Sequence, residues 1–440
     1  MTGGYLAKFV WTAGTFVLSA GLKFGLNIVL AYLLAPQILG VMVVVNAIRL
    51  GVELLTDVGI EQNIIHHPDG LDRDFRDTAW TLQFIRGALL TLAFVVAAPS
   101  LAQAYDIDVR IFLVAALSPV IGGAHSTAIF ALVKRMEVRR RNLFELTCEI
   151  LAFAVQVALA AWLRSVWAPV IGLVLAVAIR SALSYLLPEP GQRLRFDTDV
   201  VRRILHFGKW IAVTSLVMYA ATNLDRLYLG KVAPLALVGI YGIARAIAEL
   251  PTTLARRMSY QIIFPALASV ATDDRAGQMV AIARSRAVFT LVVCAGLGMA
   301  ASIADLLIAL IYDERYQQAS WMLSILLGGA VFAVLSNLNE ALLLSAGRPV
   351  YGSIANVLRL ITLGILMPAG YALAGFPGAV VAVAATELLQ YCYIAVGLQR
   401  VRMNFWLQDV RAIGTAAAVV VLVLAMRWQL DLGSPLGGGA

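Results

Sequence analysis

The chain has 440 residues, of which 61% are hydrophobic and 14% charged, and its formal net charge is +8. A soluble globular protein carries about 25% charged residues, so this composition excludes that class and predicts an all-α polytopic membrane protein. The apolar runs are about 20 residues long, the length of a spanning helix, and lack the alternating segments of about ten residues that build a transmembrane barrel.

Thirteen apolar spans are predicted along the chain. Six lie near 9–34, 38–63, 77–98, 109–133, 143–163 and 167–187. Seven more lie near 206–231, 235–263, 286–311, 319–345, 350–373, 377–398 and 409–430. We expect an N-terminal six-helix bundle over 1–187, a linker over 188–205, a second bundle over 206–398 and an extra span with its tail over 399–440.

Basic residues concentrate on alternate connections, which indicates orientation. The basic connections hold Lys134, Arg135, Arg139, Arg140 and Arg141, then Arg193, Arg195, Arg202 and Arg203, then Arg275, Arg284 and Arg286, and finally Arg400 and Arg402. The positive-inside rule therefore predicts a cytoplasmic N-terminus. The net charge is mostly this topology signal, so no nucleic-acid partner is expected. Thirteen spans place the C-terminus outside, unless a fourteenth span follows or the last predicted span is wrong.

The two halves carry a weak internal repeat at a shift of 199 residues. Gly40-Val41 falls on Gly239-Ile240, and Ala47-Ile48 falls on Ala246-Ile247. Six spans separate the matching points, so both copies cross the membrane in the same direction, with a pseudo-two-fold axis along the membrane normal. The alternative is chance similarity between apolar segments. A true repeat predicts a central cavity between two bundles and aligns Asn46 with Arg245 and, with a slip of one residue, Asn27 with Asp225.

Ionisable residues lie deep inside the spans, where a charge facing lipid costs about 2.5–3.5 kcal/mol. Arg49, Glu53 and Asp57 are spaced four residues apart, so they share one helix face and neighbouring pairs can meet. This stripe either fixes helix packing or lines a cavity that binds an anionic group and titrates. Arg245 and Glu249 repeat the spacing in the eighth span.

Other polar residues lie singly in the spans, and each either makes an interhelical hydrogen bond or adds to a wet, mostly cationic interior. Arg226 points about 100° away from its neighbour Asp225 and either faces the interior or extends toward the membrane surface. The predicted substrate-binding residues are Lys23, Asn27, Asn46, Arg49, Arg86, Asn223, Arg245 and Arg359. The predicted ion-coupling or gating residues are Glu53, Asp57, Asp225, Glu249, Glu340 and Glu387.

Signals of enzyme or cofactor chemistry are weak. The three cysteines lie within spans without metal-ligand spacing, and we interpret them as small packing residues. His66-His67 lies in a connection rich in aspartate and indicates an exposed loop more than a metal site. The chain has neither a P-loop nor a dinucleotide fingerprint, so no catalytic residue, metal or cofactor is predicted.

Several segments together resemble the polysaccharide-transport flippases of the MOP exporter superfamily. They are LLAPQILGV (33–41), LTDVGIEQNII (55–65), ALVKRMEVRRRNLFEL (131–146), TNLDRLYLGKVAPLALVGIYGIARAIAELP (222–251) and FPALASV (264–270). The resemblance implies two six-helix bundles in a V with a central cavity, open to one side at a time. It implies translocation of an oligosaccharide on a polyprenyl pyrophosphate to the outer leaflet, with H⁺ or Na⁺ and other polysaccharide-assembly proteins as further partners.

Three alternatives remain beside this expectation. An ion-coupled extruder of small molecules or drugs would share the fold, but a cationic interior favours anionic cargo. A membrane glycan polymerase or ligase would need a sizeable external loop, whereas the external connections are a few residues long. A scaffold in an envelope complex gives no reason for so many charges inside the spans.

Overall fold

The computed structural model describes residues 2–190, 192–259, 275–401, 403, 405–431, 433 and 435, and within them the regular elements are helices. The first eight α-helices are α1 (Thr2–Leu33), α2 (Pro36–Leu55), α3 (Ile60–His66), α4 (Arg73–Tyr105), α5 (Val109–Ala115), α6 (Ser118–Gly123), α7 (Ala128–Lys134) and α8 (Val138–Leu163). The others are α9 (Trp167–Ser184), α10 (Thr198–Val232), α11 (Leu235–Met258), α12 (Arg275–Ser302), α13 (Ala304–Ile311), α14 (Ala319–Ser345), α15 (Val350–Arg400) and α16 (Trp406–Gln429). Short 3₁₀ turns lie at Pro68–Leu71 and Glu314–Tyr316.

The chain forms two compact units. One contains Met1–Tyr219 and Leu229–Gly239, and the other contains Ala220–Tyr228 and Ile240–Ala440. The segment predicted as a linker, 188–205, belongs to the first unit. The internal repeat and the V-shaped arrangement stay predictions.

The described helices are those of a multi-span membrane protein. Eight of them are long and apolar enough to cross a membrane, and three bent helix pairs raise the count to eleven if each pair is one span. Two more of the thirteen predicted spans are not in this count. The first predicted span lies in α1, where the apolar stretch Val17–Leu33 is short. The other is present because α15 contains two predicted spans in one helix.

Helix α15 is a hairpin of two helices around Ala374 and Gly375. Gly375 has φ +62° and ψ −145°, a conformation that is essentially restricted to glycine. On either side, Gly370 and Gly378 bring their backbones together so closely that a Cβ on either one would collide with the carbonyl of the other. The two arms match the predicted spans 350–373 and 377–398.

The second predicted span, 38–63, is not one continuous helix. Helix α2 ends at Leu55, and α3 begins at Ile60 after Gly59, which adopts the left-handed conformation at φ +60°. The Asp57 carboxylate accepts from the Gly59 backbone N–H at 3.1 Å. The prediction that Asp57 continues the helical stripe of Arg49 and Glu53 was therefore wrong, because a left-handed glycine breaks the helix.

The fourth predicted span, 109–133, is divided into α5, α6 and α7, with a bend of 54° between the segment Val109–Gly123 and α7. Pro119 lies in the first turn of α6, where its missing N–H is tolerated. The Gln83 amide donates to the carbonyls of Gly123 and His125 at 2.9 and 3.2 Å. These bonds satisfy backbone groups that a break inside a membrane would otherwise leave unpaired.

Burial differs strongly between helices. Within an apolar stretch of 18 residues, 72% of the residues are buried in α14, whereas only 11% are buried in α8. Helix α14 therefore forms the core of the second unit, and α8 presents most of its apolar surface outward, as a helix facing lipid does.

Candidate functional site

The main candidate site is a cluster of buried and half-buried charges in the second unit, which we call the charge cluster. It consists of Asp225, Arg226, Arg245, Glu249, Arg359 and Glu387. Its members come from α10, α11 and both arms of α15. Three arginines thus meet three carboxylates within apolar helices.

Asp225 is the most deeply buried member, with 1% of its surface exposed. The Tyr241 hydroxyl donates to its carboxylate at 2.5 Å, and the Arg245 Nε lies 3.3 Å from the same group. A buried carboxylate is tolerated when it is both paired and hydrogen-bonded, and these two contacts supply both conditions.

Glu249 is shared by two arginines. The Arg226 guanidinium donates to its two oxygens at 2.9 and 3.1 Å, and the Arg245 Nε lies 3.1 Å away. Arg226 also donates to the Asn223 side-chain oxygen at 2.8 Å. The predicted pairing of Arg245 with Glu249 is confirmed, and Arg226 joins the same cluster instead of extending toward the membrane surface.

The two arms of α15 are joined by Arg359 and Glu387, whose closest nitrogen and oxygen are 2.5 Å apart. Both side chains are buried, and Gln390 lies buried one turn after Glu387. Glu387 is also close enough to attract Arg245 electrostatically, which connects this pair to the rest of the charge cluster.

The cluster retains an unused donor. The Nε atom of Arg359 is buried and has no hydrogen-bond partner among the described residues. The Nε of Arg245 already faces two carboxylates, Asp225 at 3.3 Å and Glu249 at 3.1 Å. Guanidinium groups bind carboxylates and phosphates through several N–H groups at once, so Arg359 can donate to a further anionic oxygen.

The first unit holds a smaller polar group at the end of α2. Arg49 and Glu53 form an ion pair at 2.5 Å, which confirms the contact predicted from their spacing of four residues. Arg86 donates to the Glu53 backbone carbonyl and to the Thr56 hydroxyl, so its cation neutralises the carbonyl end of α2. Asp57 lies 3.5 Å from the Ser215 hydroxyl.

The structure does not bring every predicted residue into these groups. Lys23 pairs with Glu149 at 2.9 Å while its side chain stays 68% exposed, and Asn27 on the same helix is also exposed. Asn46 is half-buried. Glu340 is half-buried against Gly352, where a Cβ would collide with its carboxylate.

Sequence reasoning missed a second buried ion pair. Arg286, predicted in a basic connection, is buried and lies 2.5 Å from Asp409, with side-chain exposures of 0% and 2%. Asn339 accepts from Arg286 at 2.6 Å and donates to Asp409 at 2.9 Å, and Arg286 lies over the Phe405 ring at 5.0 Å. The prediction was wrong because Arg286 lies at the edge of an apolar run, where hydropathy suggests exposure, although the structure places it inside α12. Asp409 lies in the first turn of α16. The pair attaches α16 to α12 and α14.

The helices and their paired buried charges define a multi-span α-helical membrane protein. The chain belongs to the family described as Polysaccharide biosynthesis protein, which matches residues 29–321. The fold agrees with the expected superfamily. An inward-facing multidrug resistance MATE family transporter of the MOP superfamily has a TM-score of 0.65 at 14% identity, covering 88% of this chain and 96% of that one. Lipid II flippase MurJ, inward closed, has a TM-score of 0.71 at 11% identity, covering 97% and 100%.

Two curated relatives are more similar in sequence. Teichuronic acid biosynthesis protein TuaB of Bacillus subtilis (strain 168) is 22% identical over 67% of this chain. Lipopolysaccharide biosynthesis protein WzxC of Escherichia coli (strain K12) is 24% identical over 60%. The matched regions span 62% and 54% of these relatives.

Proposed function

We propose that the chain is a flippase for an oligosaccharide linked to a polyprenyl pyrophosphate. It moves this lipid from the cytoplasmic to the outer leaflet of the bacterial inner membrane for synthesis of a cell-surface polysaccharide, and its N-terminus is cytoplasmic. The family and the names of the two relatives support the polysaccharide context. The fold shared with solved membrane transporters supports alternating access.

The observation that carries the proposal is the sharing of Glu249 by Arg226 and Arg245. A pyrophosphate is a multivalent anion that must leave water to cross the membrane. Arginines held in this cluster can replace that water, and the unused Nε donor of Arg359 gives a phosphate oxygen a place to bind. Glu249 then competes with the substrate for the same guanidinium groups.

This competition gives a release step. When the phosphate binds, Arg226 and Arg245 partly exchange Glu249 for phosphate oxygens. When Glu249 returns to the arginines, it displaces the anion. An entering H⁺ or Na⁺ neutralises carboxylates during the exchange, and a membrane potential supplies about 2.3 kcal/mol per charge for each 100 mV. Asp225, Glu387 and Glu340 are the other carboxylates proposed for this coupling role.

The remaining predicted residues have separate proposed roles. Arg49 and Arg86 lie at the end of α2 and provide cations for the anionic headgroup, while Glu53 and Asp57 balance them. Asn46 and Asn223 offer amide groups to sugar hydroxyls. Lys23 and Asn27, both exposed, meet the substrate only if their face of α1 borders its path.

The experiment that tests this function is a leaflet-accessibility assay in proteoliposomes. The purified chain is reconstituted with a labelled polyprenyl-pyrophosphate sugar, and a membrane-impermeant glycosidase reports the outer fraction, with and without a pH gradient. We expect the chain to accelerate exposure of this lipid but not of a polyprenol-linked sugar without pyrophosphate. Equal rates for both lipids, or no acceleration over empty liposomes, would contradict the proposal.

A small-molecule extruder is the second candidate, supported by the TM-score of 0.65 with a multidrug transporter. The charge cluster argues against cationic drugs, because three arginines offset its three carboxylates. Uptake of a cationic dye into the same proteoliposomes distinguishes the two. Dye transport without lipid exposure would favour the extruder.

A further inference from the structure

Part of the connection between α9 and α10 forms a strap across the first unit. We define the strap as residues 189–190 and 192–197. The Glu189 carboxylate accepts from Arg76 at 3.0 Å and from Arg135 at 2.9 and 3.0 Å. The Pro190 carbonyl accepts from the Ser126 hydroxyl at 3.2 Å. The strap is therefore anchored at its start by charged and polar bonds.

Further anchors follow along the strap backbone. The Arg193 N–H donates to the Asp77 carboxylate at 3.2 Å, and the Arg195 N–H donates to the Thr81 hydroxyl at 3.0 Å. Both acceptors are on α4. In an extended chain successive side chains point to opposite sides, so these backbone bonds fix the directions of the residues between and after them.

The anchored strap exposes two large apolar side chains. Leu194 is 76% exposed and Phe196 is 59% exposed. Removing apolar surface from water is favourable, so an anchored segment that displays both residues is costly in water. Their exposure indicates a surface that something apolar covers.

A groove of about 440 Å³ lies beside Phe196 and along the first turns of α10. Thr198, Arg202 and His206 are spaced four residues apart, so they form one polar stripe. Val201 and Leu205 form an apolar stripe beside it, continuous with Phe196. These six residues line the groove, which thus has one wall of hydrogen-bond donors and one apolar wall.

The charges around the groove favour an anion. The segment 193–206 contains four arginines against two aspartates, and one of these arginines, Arg195, is paired with Asp74 outside the segment. One aspartate, Asp197, is occupied as the cap of α10, accepting from the backbone N–H groups of Asp199 and Val200 at 2.9 and 3.3 Å. Arg202 and Arg203 are exposed, and among the described residues neither forms an ion pair. Arg202 is thus available to a ligand.

We propose that this groove binds an anionic membrane phospholipid. Arg202, His206 and Thr198 hold the phosphate, and Phe196, Val201 and Leu205 contact the first part of an acyl chain. Exposed leucine and phenylalanine beside arginines are typical of segments that lie in the membrane interface, and basic residues near an anionic membrane surface are attracted to it. The site holds the strap and the start of α10 at the headgroup level.

Photo-cross-linking of the full chain in nanodiscs tests this site. The probe is phosphatidylglycerol with a diazirine near its headgroup, and the same label on phosphatidylcholine serves as the neutral comparison. We expect phosphatidylglycerol to label peptides within 194–206, and Arg202→Gln to reduce this labelling at least five-fold. Arg348→Gln, at an exposed arginine in another connection, should leave it unchanged.

Two results would overturn the proposal. One is equal labelling of 194–206 by both phospholipids, or labelling that Arg202→Gln does not reduce. The other is labelling that a stoichiometric polyprenyl phosphate removes but a ten-fold excess of phosphatidylglycerol does not, because the groove would then serve a glycan carrier. Arg202→Lys keeps the positive charge but removes the guanidinium group. It should therefore retain part of the labelling if the phosphate is bound.

Discussion

Gly40 and Gly239 pack backbone against backbone, and their surroundings mirror each other. A Cβ on Gly40 would collide with the Leu235 carbonyl, and a Cβ on Gly239 would collide with the Pro36 carbonyl. Gly239 lies 199 residues after Gly40, and Leu235 lies 199 residues after Pro36, which is the shift of the predicted repeat. The internal repeat itself stays a prediction.

The contact predicts that neither glycine tolerates alanine. Gly40→Ala or Gly239→Ala places a methyl group against rigid backbone, and overpacking typically costs about 1–3 kcal/mol. Thermal unfolding followed by intrinsic fluorescence should show a lower Tm for both variants. Gly328→Ala is the matched control, because open space surrounds its Cβ position. A Tm for Gly40→Ala at or above that of Gly328→Ala would refute the contact.

Tyr241→Phe tests the hydrogen bond to Asp225. Removing the hydroxyl leaves a buried carboxylate short of one donor, and hydrogen bonds to charged groups contribute about 1.5–3 kcal/mol. We expect a loss of stability of that order, measured by denaturant unfolding in detergent. Tyr393→Phe is the control, since no hydrogen bond of its hydroxyl is seen in the described part of the chain. Equal effects would show that Asp225 does not depend on Tyr241.

The pair Arg359–Glu387 predicts strongly non-additive mutations. Glu387→Leu leaves Arg359 buried and unpaired, which typically costs about 3–5 kcal/mol. The double variant Arg359→Leu with Glu387→Leu removes both charges and should be more stable than either single variant. A double-mutant cycle of unfolding free energies measures the coupling. Additive losses would mean that the two side chains do not stabilise each other.

The strap predicts a pH-dependent contribution to stability. The Arg135 and Arg76 guanidinium groups hold the pKa of Glu189 below its usual value. A carboxyl group whose pKa is lowered by folding stabilises the protein fully when the pH is above its pKa in the unfolded chain, near 4.3. This stabilisation is lost as the pH falls through the lower pKa of the folded protein. The Tm advantage over Glu189→Gln should therefore be present at neutral pH and disappear in acid.

The expected size of this effect is small, because Glu189 is about half exposed to solvent and exposed pairs contribute little. Glu314→Gln, at an exposed glutamate in another connection, provides the baseline. A Tm difference for Glu189→Gln that persists unchanged in acid, or grows there, would show that the arginines do not stabilise the ionised carboxylate.

Local sequence spacing predicted the contacts that one helix encodes. Arg49 meets Glu53 and Arg245 meets Glu249, because residues four apart share a helix face. Contacts between distant segments were beyond this reasoning. The pairing of Lys23 with Glu149 depends on how their two helices pack together, and a single sequence does not show which helices are neighbours.

The spans were predicted from hydropathy, but their interruptions were not. Hydropathy averages over many residues, so it does not register a left-handed Gly59 or the turns between α5 and α7. These breaks persist because side chains such as Gln83 satisfy the freed carbonyls. The same averaging concealed Arg286, whose partner Asp409 lies 123 residues away.

The most direct measurement of the central claim is leaflet accessibility of the polyprenyl-pyrophosphate sugar in proteoliposomes with Arg245→Gln, Glu249→Gln and the control Arg348→Gln. Loss of a charged hydrogen bond of about 1.5–3 kcal/mol corresponds to a change of roughly 10- to 150-fold. Arg245→Gln should raise KM by this order. Glu249→Gln should lower KM and kcat together, because freed arginines retain the anion, while Arg348→Gln behaves as wild type. Wild-type exposure rates with Arg245→Gln and Glu249→Gln, in protein that is folded and inserted, would contradict the account.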